Sequence, residues 1–172
     1  MNLTVDQFAD TIERHQARVY SIAFRILGDS GAAEEVAQDV FLDLHRNLSR
    51  LAGEQHLIAW LRRVTCHRAT DTLRRRSARG GSAVTEEWND DYSLSNTPRT
   101  PTPLINDVER LLLTLPAAQR TVLILRYQED MEPEDIAIEL AMPLATVRSH
   151  LQRAIKLLRS KAERTLKEYI RG

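Results

Sequence analysis

The stretch that decides the reading is Glu132 to Arg159, EPEDIAIELAMPLATVRSHLQRAIKLLR. A short segment with apolar residues at helical spacing (Ile136, Ala137, Leu140) meets a break at Met142-Pro143. A longer one follows, in which Leu144, Val147, Leu151, Ala154, Ile155 and Leu158 recur at the helical period. At about 100° per residue these fall on one face, with Arg148, Ser149, Gln152, Arg153 and Lys156 opposite. Two short helices joined by a tight turn, with basic and amide side chains facing out, describe a helix-turn-helix. Its second helix is the one such motifs offer to the major groove. A merely amphipathic helix with a solvated charged face is the plainer reading. The basic-amide stripe behind Pro143 favours DNA.

Working outward, the charge is uneven. The net charge is zero, yet residues 1–57 carry −4, 58–79 carry +6, 80–142 carry −8 and 143–172 carry +6. Phosphate affinity comes from local clusters, so two DNA-facing surfaces are expected in an acidic background. The acidic remainder suits a protein partner. No apolar run approaches the roughly 18–20 residues needed to cross a bilayer, so no membrane insertion is expected. MNLTVDQFAD lacks the basic-then-apolar order of a secretory signal. The expected location is the cytoplasm. One cysteine, Cys66, excludes an internal disulfide and a cysteine-rich zinc site. The five histidines are scattered, and no metal or cofactor is expected.

The rest of the chain is also helical in pattern, with no alternating strand signal. The expected fold is all-α: two small helical domains, an N-terminal helical bundle and a C-terminal helix-turn-helix domain, joined by a flexible linker. Val5 to Leu27 is a helix by periodicity, and Gly28-Asp29-Ser30-Gly31 a turn. Asp29 or Ser30 caps a second helix running to about Leu48, with Glu34 and Glu35 placed in its first turn. Leu51-Ala52-Gly53 breaks it, and a third helix covers about Gln55 to Ser77. Residues 78–103 hold two of the six glycines, three of the six prolines and the acids Glu86, Glu87, Asp90 and Asp91. Such a segment buries too little surface to offset its ordering, and reads as a linker. Beyond it, Leu104 to Leu115 is helical, Pro116 opens a helix to Tyr127, and the helix-turn-helix follows. Lys161 to Gly172 either extends the last helix or frays from it. The domains are therefore 1–77 and 104–172, each with a modest core.

In the first domain, Arg62, Arg63, Arg68, Arg74, Arg75, Arg76 and Arg79 crowd one helix. Mutual repulsion among them calls for a compensating partner, which favours nucleic acid over a solvated helix end. Trp60, Arg63, His67, Asp71 and Arg74 share a stripe. Trp60 fits two places: the core, or a stack on an unpaired base beside phosphate-holding arginines. His67 is either a base contact or a neutral surface residue.

GDSGAAEEVAQDVFLDLHRNL (28–48), AWLRRVTCHRATDTLRRR (59–76) and the run from Leu115 to Arg159 resemble, in order, the blocks of extracytoplasmic-function sigma factors. These are small two-domain initiation subunits of bacterial RNA polymerase. The resemblance implies that Glu34 to Asn47 docks on the β′ clamp of core RNA polymerase, with Gln38 and Asp39 central and Glu35, Leu42 and Asp43 beside them. A second contact, to the β flap, is implied as well. It implies that Leu48 to Arg76 melts and reads the −10 element of promoter DNA through Trp60, Arg63, His67, Arg74 and Arg75. The loop around Leu51 to His56 would pocket a flipped base, at a cost of a few kcal/mol. The −35 element would be read by Ala145, Arg148, Ser149, His150, Gln152, Arg153 and Lys156. Arginine suits guanine and glutamine suits adenine, while Lys156 and Arg159 suit phosphate. An anti-sigma protein clamping both domains is the common restraint in the family.

Departures from the family pattern bear on specificity. Alanine stands at 141 and 145 where glycine is usual, His150 replaces an arginine, and His67 an asparagine. A left-handed alanine at 141 costs roughly 1 kcal/mol, so a slightly re-formed turn is expected there. The acidic linker is either an imitation of nascent RNA on the polymerase or a solvated tether. Serine in place of its four acids, with abortive and full-length transcripts compared, separates the two. Outside this family, a stand-alone dimeric regulator explains 115–159 equally well but leaves the first domain idle. A nuclease lacks any carboxylate cluster at metal spacing, and no catalysis is expected.

Overall fold

In this computed structural model the described backbone covers residues 5–79 and 103–171; side-chain surroundings are described for 7–79 and 107–171, apart from 169. Every described element is helical: α1 (Val5–Leu27), α2 (Ser30–Asn47), a 3₁₀ turn (Leu48–Arg50), α3 (Glu54–Ala78), α4 (Pro103–Leu113), α5 (Ala117–Tyr127), α6 (Pro133–Glu139) and α7 (Leu144–Arg171). The chain separates into two compact units, Met1–Gly81 and Ser82–Gly172. The acidic stretch Glu86 to Asp91 lies outside the described residues. Only the ends of the expected linker are seen: Ala78 and Arg79 close α3, and Pro103 opens α4.

The first unit is a bundle of α1, α2 and α3. Its core is Val19, Ile22, Ala23 and Ile26 from α1, Val36, Val40 and Leu44 from α2, and Leu57, Leu61, Cys66 and Ala69 from α3. Gly28, at φ 69°, ends α1, a left-handed backbone that only glycine adopts freely. The cap of α2 is Asp29, whose carboxylate accepts from Ala32 N–H at 2.7 Å. Because α2 begins at Ser30, Glu34 and Glu35 stand a turn further in than the sequence suggested.

The break before α3 is built from Gly53, at φ 90°, and from His56, whose Nδ1 accepts the Ala52 N–H at 3.1 Å. That bond requires an unprotonated Nδ1.

In the second unit α7 contacts α4, α5 and α6. Val122, Leu125, Ile136, Val147 and Ala154 are fully buried. Two arginines do structural work in this unit. The Nη2 of buried Arg120 donates to Leu113 O (3.0 Å) and Leu115 O (2.9 Å), satisfying carbonyls orphaned at the end of α4. Arg126 donates to Met131 O at 3.1 Å and lies 3.4 Å from Glu132, which shapes the connection entering α6. The stretch from Lys161 continues α7 to Arg171.

A candidate nucleic-acid interface on α3 and α7

The turn between α6 and α7 aims the second helix. Met142 N–H donates to Ala137 O at 2.9 Å and Ala141 N–H to Ile138 O at 3.3 Å, which closes α6 around a left-handed residue. That residue is Ala141, at φ 49°. The alanine therefore keeps the turn that glycine would make, and the expected re-forming does not occur. Pro143 O then accepts from Thr146 N–H (2.9 Å) and Val147 N–H (3.1 Å), starting α7.

Burial along α7 follows the helical wheel. Val147, Leu151 and Ala154 are buried, while Ala145, Arg148, Gln152, Arg153 and Lys156 are exposed. Ser149 and His150 are half-buried, and the Nδ1 of His150 is enclosed without a hydrogen-bond partner. His150 thus leans toward the interior, as its place at the edge of the apolar face suggested. Ile138 on α6 and Tyr127 at the end of α5 are exposed apolar side chains of the same unit.

Arg148 is not a lone cation. Its Nη2 donates to Glu134 Oε1 on α6 at 2.7 Å. The Glu134 carboxyl titrates below the usual glutamate value, first because its own backbone N–H donates to it and second because of Arg148. The only sign of this pair in the sequence is Pro133-Glu134 at a helix start. Its partner lies fourteen residues away, across the turn.

On α3, Arg63, His67, Arg74 and Arg75 are exposed and Trp60 is half-buried. Trp60 and Arg74 are fourteen positions apart, so the stripe extends roughly 21 Å along the helix. Arg74 approaches Asp71 at 3.5 Å, a weak surface pair that leaves the guanidinium accessible. Two other arginines of the cluster pair with carboxylates of α2 and its cap instead. Arg68 donates from Nη1 to Asp39 Oδ2 at 2.9 Å and from Nε to Asp43 Oδ2 at 3.0 Å, with a further short bond from Nη2 to Asp43. Arg76 lies 3.6 Å from Asp29. Part of the charge compensation assigned to nucleic acid is therefore supplied by α2 and its cap.

The same clamp divides the residues expected to meet polymerase. Glu35, Gln38 and Leu42 are exposed on α2, and Leu42 is an apolar side chain left 58% open. Asp39 and Asp43 sit at the edge of that face, held by Arg68.

Among the described residues, three helices with a basic stripe and four helices ending in a helix-turn-helix make two helical modules of the class that binds nucleic acid. The family description "Sigma-70 region 2" matches residues 11–79 and "Sigma-70, region 4" matches 105–158. The chain belongs to the sigma-70 family of transcription initiation factors, as an ECF sigma factor. It is 24% identical over 164 residues to the ECF RNA polymerase sigma factor SigW of Bacillus subtilis, covering 90% of this chain and 88% of that one. It is 28% identical over 165 residues to the RNA polymerase sigma-H factor of Pseudomonas aeruginosa, with 90% and 86% covered. Among solved structures it resembles the sigma factor RpoE in complex with the anti-sigma factor NepR from Bartonella quintana. The TM-score there is 0.72 at 20% identity, over 92% of this chain and 98% of that one. It also resembles CnrH in complex with the cytosolic domain of CnrY, with a TM-score of 0.64 at 19% identity, over 93% and 90%. At these identities the structural likeness speaks for the fold. Family membership sets aside the stand-alone dimeric regulator. No described helix is long and apolar enough to cross a membrane.

Proposed function

We propose that the chain joins core RNA polymerase through the exposed face of α2 and reads a promoter at two points. Residues 1–77 act as the polymerase-binding and −10 domain, 104–172 as the −35 domain, and 78–103 as the tether. The observation that carries this reading is α7, which buries Val147, Leu151 and Ala154 while leaving Arg148, Gln152, Arg153 and Lys156 exposed beyond a tight turn. Ala145, Ser149 and His150 complete the −35 surface. Trp60, Arg63, His67, Arg74 and Arg75 form the −10 surface. Strand opening is costly, and stacking on an aromatic ring with phosphates held by arginine offsets part of it. Glu35, Gln38, Asp39, Leu42 and Asp43 form the β′-clamp contact, with a further contact to the β flap.

The protein acts in the cytoplasm and performs no chemistry of its own, since polymerase supplies the catalysis. The neighbours RpoE and CnrH are bound to NepR and to the cytosolic domain of CnrY. By the same logic this chain is restrained by an anti-sigma protein that covers its polymerase-binding surfaces. Transcription from a genomic library by core polymerase with the purified chain tests the proposal. Start sites should share upstream and downstream elements, and failure to open any promoter overturns the reading.

A further inference from the structure

Glu134 and Arg148 face each other across the helix-turn-helix, joined at 2.7 Å. Their side chains are 53% and 59% exposed, so the pair adds little to the stability of the unit. α6 packs against α7, and each contributes a fully buried side chain to the unit, Ile136 and Val147. The pair therefore calls for an explanation other than stability.

The two partners differ in freedom. Glu134 is itself tethered by its own backbone N–H and stays ionised well below neutral pH. Arg148 projects from the first turns of the helix expected in the groove, on a long side chain with many rotamers. Reading guanine needs two N–H groups presented together in the plane of the base. A carboxylate that takes one Nη2 hydrogen narrows the orientations of the guanidinium and leaves another edge of the fork free. The same carboxylate repels phosphate, so an arginine parked against it is directed to a base edge rather than to the backbone. Arg153 and Lys156 on the same face have no carboxylate partner among the described residues, as suits phosphate contacts.

We infer that Glu134 is a specificity-determining positioning residue: from α6 it holds the Arg148 guanidinium for a guanine edge in the −35 element and keeps it off the phosphates. This rests on the reading of α7 as the −35 helix.

The test uses holoenzyme reconstituted from the full chain and core polymerase, on promoters randomised through the −35 region. The variants are Glu134→Ala, Glu134→Gln, Arg148→Ala and the Glu134→Ala/Arg148→Ala double. Arg148→Ala should abolish a guanine preference at one position. Glu134→Ala should weaken the preference at that same position roughly tenfold, within the range one bidentate contact discriminates. It should also raise occupancy of non-cognate DNA. Glu134→Gln, whose amide oxygen still accepts the bond, should keep most of the preference. The double variant should match Arg148→Ala.

The inference is overturned if Glu134→Ala changes occupancy equally on all sequences, or if it acts at a different base. It is also overturned if its effect persists without Arg148, since Glu134 would then read a base directly. If Arg148→Ala leaves every base preference intact, the reading of Arg148 as a base reader fails as well. That outcome is distinguishable, because the first three failures all leave the Arg148→Ala effect in place.

Discussion

Arg68 of α3 reaches across to Asp39 of α2, Nη1 to Oδ2 at 2.9 Å, and the same guanidinium takes Asp43 one turn further along. The helix proposed to dock on polymerase is thereby tied to the helix proposed to open DNA. Asp43 is only 24% exposed, so losing Arg68 leaves a poorly hydrated charge with only the exposed Arg46, 3.6 Å away, beside it. Arg68→Ala should destabilise the first unit by about 1–3 kcal/mol, the range for removing one partner of a poorly hydrated polar group, with half exposure of Asp39 keeping it toward the lower end. Thermal unfolding checks this. Arg68→Lys keeps the charge but not the fork, and should recover only part of the loss.

Leu42 is 58% exposed on α2, so it contributes little to the core. Leu42→Ser should leave the unfolding midpoint nearly unchanged while weakening association with core polymerase roughly tenfold, the loss expected for a central apolar contact. Titration of labelled protein against core enzyme measures it. An unchanged affinity removes Leu42 from the contact.

Ala141 occupies a left-handed conformation at φ 49°. Glycine relieves about 1–2 kcal/mol of local strain there but adds unfolded-chain freedom worth about 0.4–1 kcal/mol. Ala141→Gly should therefore stabilise the second unit by about 0.5–1 kcal/mol, and Ala141→Val should destabilise it. Denaturant midpoints of the full chain, followed by a probe in this unit, give the sign directly.

Lys156 and Gln152 are both exposed on α7 but suit different tasks. Lys156→Ala should weaken promoter binding by a similar factor on all sequences and lower the salt slope by about 1. Gln152→Ala should instead flatten preference at a −35 base, at a cost of about 1–3 kcal/mol against the best sequence. Binding across a salt series, on matched and altered −35 elements, separates the two patterns.

The Glu134 carboxyl titrates below its ordinary value of 4.5. A group depressed in this way contributes its interaction above the unfolded value and loses it as pH falls through the folded value. The Arg148 pair should thus be intact at neutral pH and dissolve only in acid below 4.5. The carboxyl carbon shift of Glu134, followed by NMR, should show that midpoint, and Arg148→Ala should move it upward.

Much of the architecture was legible because it rests on periodicity and local chemistry. The repeat of Leu144, Val147, Leu151 and Ala154 marks a buried stripe before any partner helix is known. Gly28, Asp29 and Pro143 mark helix ends through backbone geometry confined to a few residues. The exposed stripe on α7 follows from the same wheel. What periodicity misplaces is an arginine whose partner comes from another helix. Arg68 sits in a basic run and reads as a phosphate ligand, yet α2 claims it.

By itself the sequence determined the helices, their caps, the two-module order and the faces each helix turns outward, because those depend on interactions spanning a few residues. Only the tertiary structure decided which charges are spoken for. Arg68 with Asp39 and Asp43, and Arg148 with Glu134, are pairs formed between helices, 14 to 29 residues apart in the chain. Whether a guanidinium is free for DNA depends on how the helices pack, and the run of residues around it carries no trace of that. The left-handed turn at Ala141 belongs to the same class: an alanine stands there in a conformation its own preference resists, in a turn closed by the Met142 N–H to Ala137 O bond.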